Sequence, residues 1–155
     1  MSINHIGFRL VSVVELRPRL EPLLLAHRQE MPTARHAPVP APDWEKYYRL
    51  DAVGRLILIA VEDGAELVGY CSCILSSMQH DKAMTVAVND AIYLKPERRG
   101  AGVAGRLIEF CNAEAFRRGA FLSEMTVKVR HNFGPLLVQH GYENDELVFH
   151  KLLKG

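Results

Sequence analysis

The sequence has no long apolar run. Its longest unbroken stretch, Leu56 to Val61, falls far short of the ~20 residues a membrane-spanning helix needs, so no membrane partner is expected. The start, Met1-Ser2-Ile3-Asn4-His5, lacks the basic and apolar blocks of a secretory leader, and Arg9 interrupts the apolar residues after it. A cytoplasmic location is therefore expected. An excess of one charge is missing as well: nineteen Lys+Arg against eighteen Asp+Glu leave a formal charge of +1, and nothing global steers the chain toward nucleic acid. Three cysteines are too few, and odd in number, for a disulfide framework. Cys71 and Cys73 stand two apart in a strand-like run, where alternation puts both on one face. No CxxC and no close His pair supplies further ligands, so no metal is expected and the thiols read as buried and reduced.

What is present is ordinary globular material. With 155 residues, 48% hydrophobic and 24% charged, the chain reads as one domain over residues 1–155, able to bury roughly 70% of its unfolded surface without a staple. Ile6 to Val11 reads as a first strand. Pro18 and Pro22 bracket a helix start, and Leu20, Leu23, Leu24 and His27 carry that helix to about Gln29. Four prolines between Met31 and Pro42 predict a loop, and Asp43 is a fitting N-cap for a short helix through Trp44, Tyr47 and Tyr48. Leu56–Glu62 and Leu67–Ser76 form a hairpin about Asp63-Gly64. Met84–Leu94 is a further strand, Val103–Arg118 a helix stopped by Gly119, Phe121–Val129 a strand, Phe133–His140 a short helix and Glu146–Leu152 a last strand. The order predicts an α/β fold with a sheet of about six strands.

The residues with chemistry in them lie between a strand and a helix, from Leu94 to Ala104. Gly100 and Gly102 let backbone approach a ligand closely. The first N–H groups of the following helix favour an anion, and Lys95, Arg98, Arg99 and Arg106 gather positive charge there. The pattern describes a pyrophosphate cradle. It is not a P-loop, since no Gly-Lys-Ser/Thr comes after it, nor a dinucleotide fingerprint, since the third glycine is missing. A tight turn with a solvated basic face fits the same residues.

Arg99-Gly100-Ala101-Gly102-Val103-Ala104 resembles the Arg/Gln-x-x-Gly-x-Gly/Ala signature of the GNAT superfamily of N-acetyltransferases. The preceding Ile92-Tyr93-Leu94-Lys95-Pro96 is similar to that family's Leu-x-Val-x-Pro, and Gly119-Ala120, Asn132 and Gly141-Tyr142 come after it in the family's order. The resemblance implies a single-domain mixed, mostly antiparallel sheet with flanking helices and splayed central strands. It implies acetyl-CoA as co-substrate, its pyrophosphate on the backbone of Arg99, Gly100, Ala101, Gly102, Val103 and Ala104. Its pantetheine would pair with Ile92 and Leu94, and Asn132 would touch that arm or cap the next helix. The second substrate would be an amine acceptor, with a homodimer left open.

Acetyl transfer to an ammonium needs a base. Asp90, just before the turn, and Glu124, on the strand across the implied cleft, are the candidates, each equally readable as a solvated strand charge. Trp44, Tyr47 and Tyr48 fit an acceptor wall or aromatics packed on the sheet. The family's tyrosine acid, four residues before the final glycine, is Leu137 here. That departure keeps a degenerate CoA-binding module in view as the alternative to an enzyme.

Overall fold

The computed structural model describes residues 5–153; the leader reading of the first residues lies, for residues 1–4, outside them. Five strands form one mixed sheet in sequence order: β1 (Ile6–Leu10), β2 (Leu56–Asp63), β3 (Glu66–Ser77), β4 (Thr85–Leu94) and β5 (Ala120–Glu124). The first four are antiparallel neighbours, and β4–β5 is parallel. Helices α1 (Val13–Glu30) and α2 (Trp44–Ala52) cover one face, and α3 (Val103–Arg117) covers the other. A short α4 (Gly134–Gln139) comes after β5.

Two sequence expectations are corrected. The sheet has five strands rather than about six, because Glu146–Leu152 is not a strand. Leu147, Val148 and Phe149 are adjacent apolar residues, all exposed, and no strand edge pairs with them; an isolated apolar stretch has no ladder to hold it extended. The first helix starts five residues before Pro18. Ser12 caps it by accepting the Glu15 amide at 3.2 Å, and Pro18 and Pro22 lie within it. Each proline removes one helical hydrogen bond. Val14, whose carbonyl loses the Pro18 partner, is 71% exposed, so water reaches the gap. The buried stripe of Val13, Leu16, Leu20 and Leu23 holds the helix on the sheet.

The other elements match within a few residues, except that β5 ends at Glu124, five residues short of the expected Val129. The hairpin turns at Gly64 (φ 60°), Asp43 caps α2 by accepting the Lys46 amide at 3.0 Å, and Gly119 (φ 88°) stops α3. Alternation divides the core. Ile57, Ile59, Cys71, Cys73 and Leu94 meet Val103, Leu107 and Cys111 of α3. Leu58, Ala60, Tyr70 and Tyr93 meet Leu16, Leu20 and Leu23 of α1.

Candidate active site

Two departures from ladder regularity shape the site. The first is at the β4–β5 edge. Pairing runs from Thr85–Ala120 to Val88–Glu124; there β5 ends while β4 runs on to Leu94. The strands are therefore splayed, and the outer edge of β4 is open past Val88. The Lys95 amide donates to Val68 O at 2.9 Å, which fixes how the ladder alternates. Tyr93, opposite Tyr70, bonds to β3; Ile92 and Leu94, opposite Cys71 and Gly69, occupy the intervening positions. The main-chain groups of Ile92 and Leu94 consequently point into the gap. Leu94 O already accepts the Arg99 Nε at 2.9 Å. A β-carbon at Gly69 would sit 2.6 Å from Leu94 Cδ2, so this stretch of β4 relies on a glycine beside it.

The second departure is a β-bulge. Cys73 pairs with Asn89 and Ser72 with Ala91, leaving Asp90 as the extra residue. Before it, Ala87 faces α3; after it, Ala91 and Tyr93 face α1. The bulge aims Asp90 toward the α1 and α2 side. Its Oδ2 accepts from Ser72 Oγ at 2.8 Å and from Tyr47 OH at 2.6 Å. Burial, and then the Asp90 contact, raise the Tyr47 pKa well above its ordinary value, so its hydroxyl stays a donor. Asp90 lines a cavity of about 60 Å³ with Arg17, Trp44, Tyr47, Ser72 and Ala91. Glu124 stands opposite Val88, two residues from Asp90, exposed at the mouth of the gap.

Beyond β4 lies the strand-to-helix turn. Gly100 (φ 96°), Ala101 (φ 49°) and Gly102 (φ 74°) are three consecutive left-handed residues. Only glycine adopts such angles without cost. β-Carbons at Gly100 or Gly102 would meet nothing within 4 Å, so the turn faces open space. The Arg99 amide donates to Pro96 O and that of Val103 to Gly100 O. The amides of Gly100, Ala101, Gly102 and Ala104 donate to no described residue. These are the orphan donors of a turn and helix start, suited to an anion.

The basic side chains do less here than their spacing suggests. Lys95 pairs with Glu66, Arg98 with Asp63 at 2.9 Å, and Arg99 with Glu30 at 2.7 Å. Arg106, the fourth, has no ion pair among the described residues and lies exposed over the Phe8 ring at 5.9 Å, so the cradle is main chain with one uncommitted basic side chain beside it. Asn132 Oδ1 accepts the Gly134 amide at 2.8 Å, a turn bond just ahead of α4, whose N-cap position is taken by Phe133 rather than Asn132. Leu137 is 6% exposed.

Sequence reasoning missed Ser72 and Arg17, because neither lies near the motif in the chain. It also missed that α3 brings Cys111 to the cysteine pair. Cys73 and Cys111 Sγ are 3.0 Å apart, and the three buried thiols are free. Among the described residues they form the one group close enough to hold a metal ion. They face α3, across the sheet from the Asp90 cavity.

The acetyltransferase (GNAT) domain family matches residues 54–144, from β2 through α4. Among curated proteins, none matches significantly. An aminoglycoside acetyltransferase from an uncultured soil metagenomic sample superposes with TM-score 0.73 at 18% identity, covering 100% of both chains. A ribosomal-protein-alanine N-acetyltransferase from Brucella melitensis gives 0.70 at 17% identity, over 97% of this chain and 99% of that one. A predicted acetyltransferase from Clostridium acetobutylicum, determined with acetyl-CoA, gives 0.65 at 14% identity over 95% and 96%. At these identities the likeness is one of fold.

Proposed function

Since this chain belongs to the GNAT acetyltransferase family, we propose that it moves an acetyl group from acetyl-CoA to a primary amine by direct attack in a ternary complex. The observation that carries the reading is the open turn Gly100–Gly102 at the end of a strand edge that has lost its partner. Free amides at Gly100, Ala101, Gly102 and Ala104 suit a pyrophosphate, and the outward main-chain groups of Ile92 and Leu94 suit an amide-bearing pantetheine arm. Arg99 contributes by locking the turn onto α1 through Glu30, and Val103 by closing it on Gly100. Asn132, already bonded in the turn ahead of α4, keeps its amide group available to that arm.

Acetyl-CoA supplies the activated thioester. The chain's own residues handle the amine. Asp90, held by Ser72 and Tyr47 through one oxygen, accepts the ammonium proton directly or through a water on the other. Glu124 at the cleft mouth is the second candidate for that proton. The site needs no metal for this chemistry. No helix of the described residues is long and apolar enough to cross a membrane, and three buried free thiols suit a reducing cytoplasm.

The buried Leu137 favours a second reading, a CoA-binding module with little catalysis. A screen of amine acceptors that measures free thiol release, beside an acetyl-CoA titration, separates the two. Thiol release that depends on an amine supports the enzyme. Tight acetyl-CoA binding with no release from any amine supports the module, and no binding of acetyl-CoA overturns both.

A further inference from the structure

We infer that the acceptor carries a carboxylate as well as its amine, and that Arg17 binds that carboxylate. The inference deepens the acetyl-transfer reading and rests on it. It comes from what the cavity beside Asp90 contains. A guanidinium and a carboxylate line the same hollow of about 60 Å³, between aromatic walls from Trp44 and Tyr47 and an apolar floor that includes Leu20 and Leu58. The hollow is open to water, with Asp90 exposed and Arg17 half-buried, so a ligand that displaces that water must offer each charge a partner of its own.

Neither charge has an ion-pair partner among the described residues, and each keeps hydrogen-bonding capacity. Both hydrogen bonds to Asp90 go to Oδ2, and Oδ1 accepts from no described residue. Arg17 gives one hydrogen bond, from Nη1 to Tyr48 OH at 3.1 Å. Its guanidinium carbon stands 4.7 Å from the Trp44 ring centre and 5.9 Å from that of Tyr48. Among the described residues it has no carboxylate within ion-pair distance. Arg9, Arg19, Arg98, Arg99, Arg117 and Arg118 each have one. A guanidinium carries five N–H donors in a planar fork that suits a carboxylate. Laid against Trp44 and using one donor, Arg17 keeps the rest of its fork for a ligand.

A ligand that meets both charges puts an ammonium toward Asp90 and a carboxylate toward Arg17. That is the pattern of an amino acid. The small volume suits a compact head group, and a polycationic amine would bring a second positive charge against Arg17.

Trp44 is the one tryptophan of the chain, so its fluorescence reports occupancy of the hollow without any chemistry. The test titrates the full chain with pairs that differ only in the carboxylate, leucine against isopentylamine and phenylalanine against phenethylamine, with spermidine as a polycation. Turnover with acetyl-CoA is measured on the same set. Each amino acid is expected to bind at least about tenfold more tightly than its decarboxylated twin. Arg17→Met, which keeps the stem against Trp44, should bring the twins within about threefold, and Arg17→Lys should fall between. A melting temperature near wild type shows that the variants fold.

Equal binding of the twins to wild type overturns the inference, as does a preference that survives Arg17→Met. Acetylation of both twins with equal kcat/KM also overturns it while leaving the acetyl-transfer reading intact. A carboxylate preference in the titration with no thiol released from any acceptor does the reverse: the Arg17 site stands and the transfer reading falls. If no compound of the set shifts Trp44, the inference falls.

Discussion

Ser72 and Asp90 are joined by a 2.8 Å hydrogen bond at the point where β3 and β4 fall out of step. The bulge makes Asp90 and Ala91 consecutive residues directed to the same side of the sheet, which regular alternation forbids. Tyr47, from α2, reaches the same carboxylate oxygen. A helix, a strand and a bulge thus converge on one acid, although forty-three residues separate Tyr47 from Asp90.

If Asp90 is the base, Asp90→Asn should lower turnover by about 10²–10⁴-fold, the usual worth of general base catalysis, with acetyl-CoA affinity unchanged. Tyr47→Phe and Ser72→Ala leave the carboxylate in place and remove one donor each, so each should cost about tenfold or less. Glu124→Gln is the companion variant. Turnover of the four variants against pH checks the assignment. Near-normal rates in both Asp90→Asn and Glu124→Gln from neutral to alkaline pH would mean that the amine arrives already neutral.

Much of this was legible from local signals. Asp63-Gly64 marked the hairpin, Asp43 the start of α2, and the Arg99–Ala104 motif the strand-to-helix turn, because each feature is set by residues adjacent in sequence. The helix start at Ser12 was also written locally, as Ser12 with Glu15 three residues later. The prolines hid it, since their cost is small on a solvent face and large only where the carbonyls are dry. The last strand failed for the opposite reason: its apolar residues promised a strand, but a strand is fixed by the ladder it joins, and Glu146–Leu152 pairs with none. The site was half legible. Asp90 stood out by its place before the motif, whereas Ser72, Arg17 and Cys111 became neighbours only through sheet pairing and helix packing.

The cradle makes a sharp prediction at Gly102. Its φ of 74° lies in the left-handed region, and its position faces open space rather than protein. Gly102→Val strains the turn and puts a branched side chain where an anion would meet the amides. Acetyl-CoA affinity should weaken at least tenfold, about 1.4 kcal/mol. Calorimetric titration of folded protein measures it, and unchanged affinity would remove the turn from the cofactor site.

Acid should destabilise the fold in two stages. His27 packs on Tyr93 at 5.0 Å between ring centres, with Nδ1 2.5 Å from Tyr70 OH. Burial holds its pKa below the ordinary 6.5, opposed by Glu30 and assisted by Arg28 and Arg99. The unfolded chain therefore takes up this proton first, so stability falls as pH drops below 6.5 and levels once the lowered pKa is passed. Glu62, bonded by Arg9 and Arg19, and Glu114, bonded by Arg117 and Arg118, are both held at about 2 against 4.5. Their contribution is complete above 4.5 and is lost between 4.5 and 2. Melting temperature against pH should show both descents, and His27→Gln should flatten the upper one alone.

The remaining question is what protonates the departing thiolate. Leu137 cannot, and the hydroxyl and imidazole groups near it are engaged. His140 Nδ1 is 2.7 Å from Glu109, and Tyr142 OH lies between Ser123 Oγ at 2.8 Å and Asn112 Oδ1 at 3.0 Å. Tyr93 is buried on the α1 side, the face opposite Leu94. A thiolate is a tolerable leaving group on its own, because a thiol pKa near 8.5 is only about 1.5 units above neutrality. Losing the acid should therefore cost less than losing cofactor alignment. Leu137→Tyr is expected to change turnover by less than about tenfold, while overpacking a buried site should cost about 1–3 kcal/mol of stability. Tyr93→Phe and His140→Ala should likewise retain activity. The measurement is turnover against pH for these three variants and wild type, with acetyl-CoA affinity as the control. A loss of about 10²-fold or more in Tyr93→Phe or His140→Ala, with affinity intact, would identify a substitute acid.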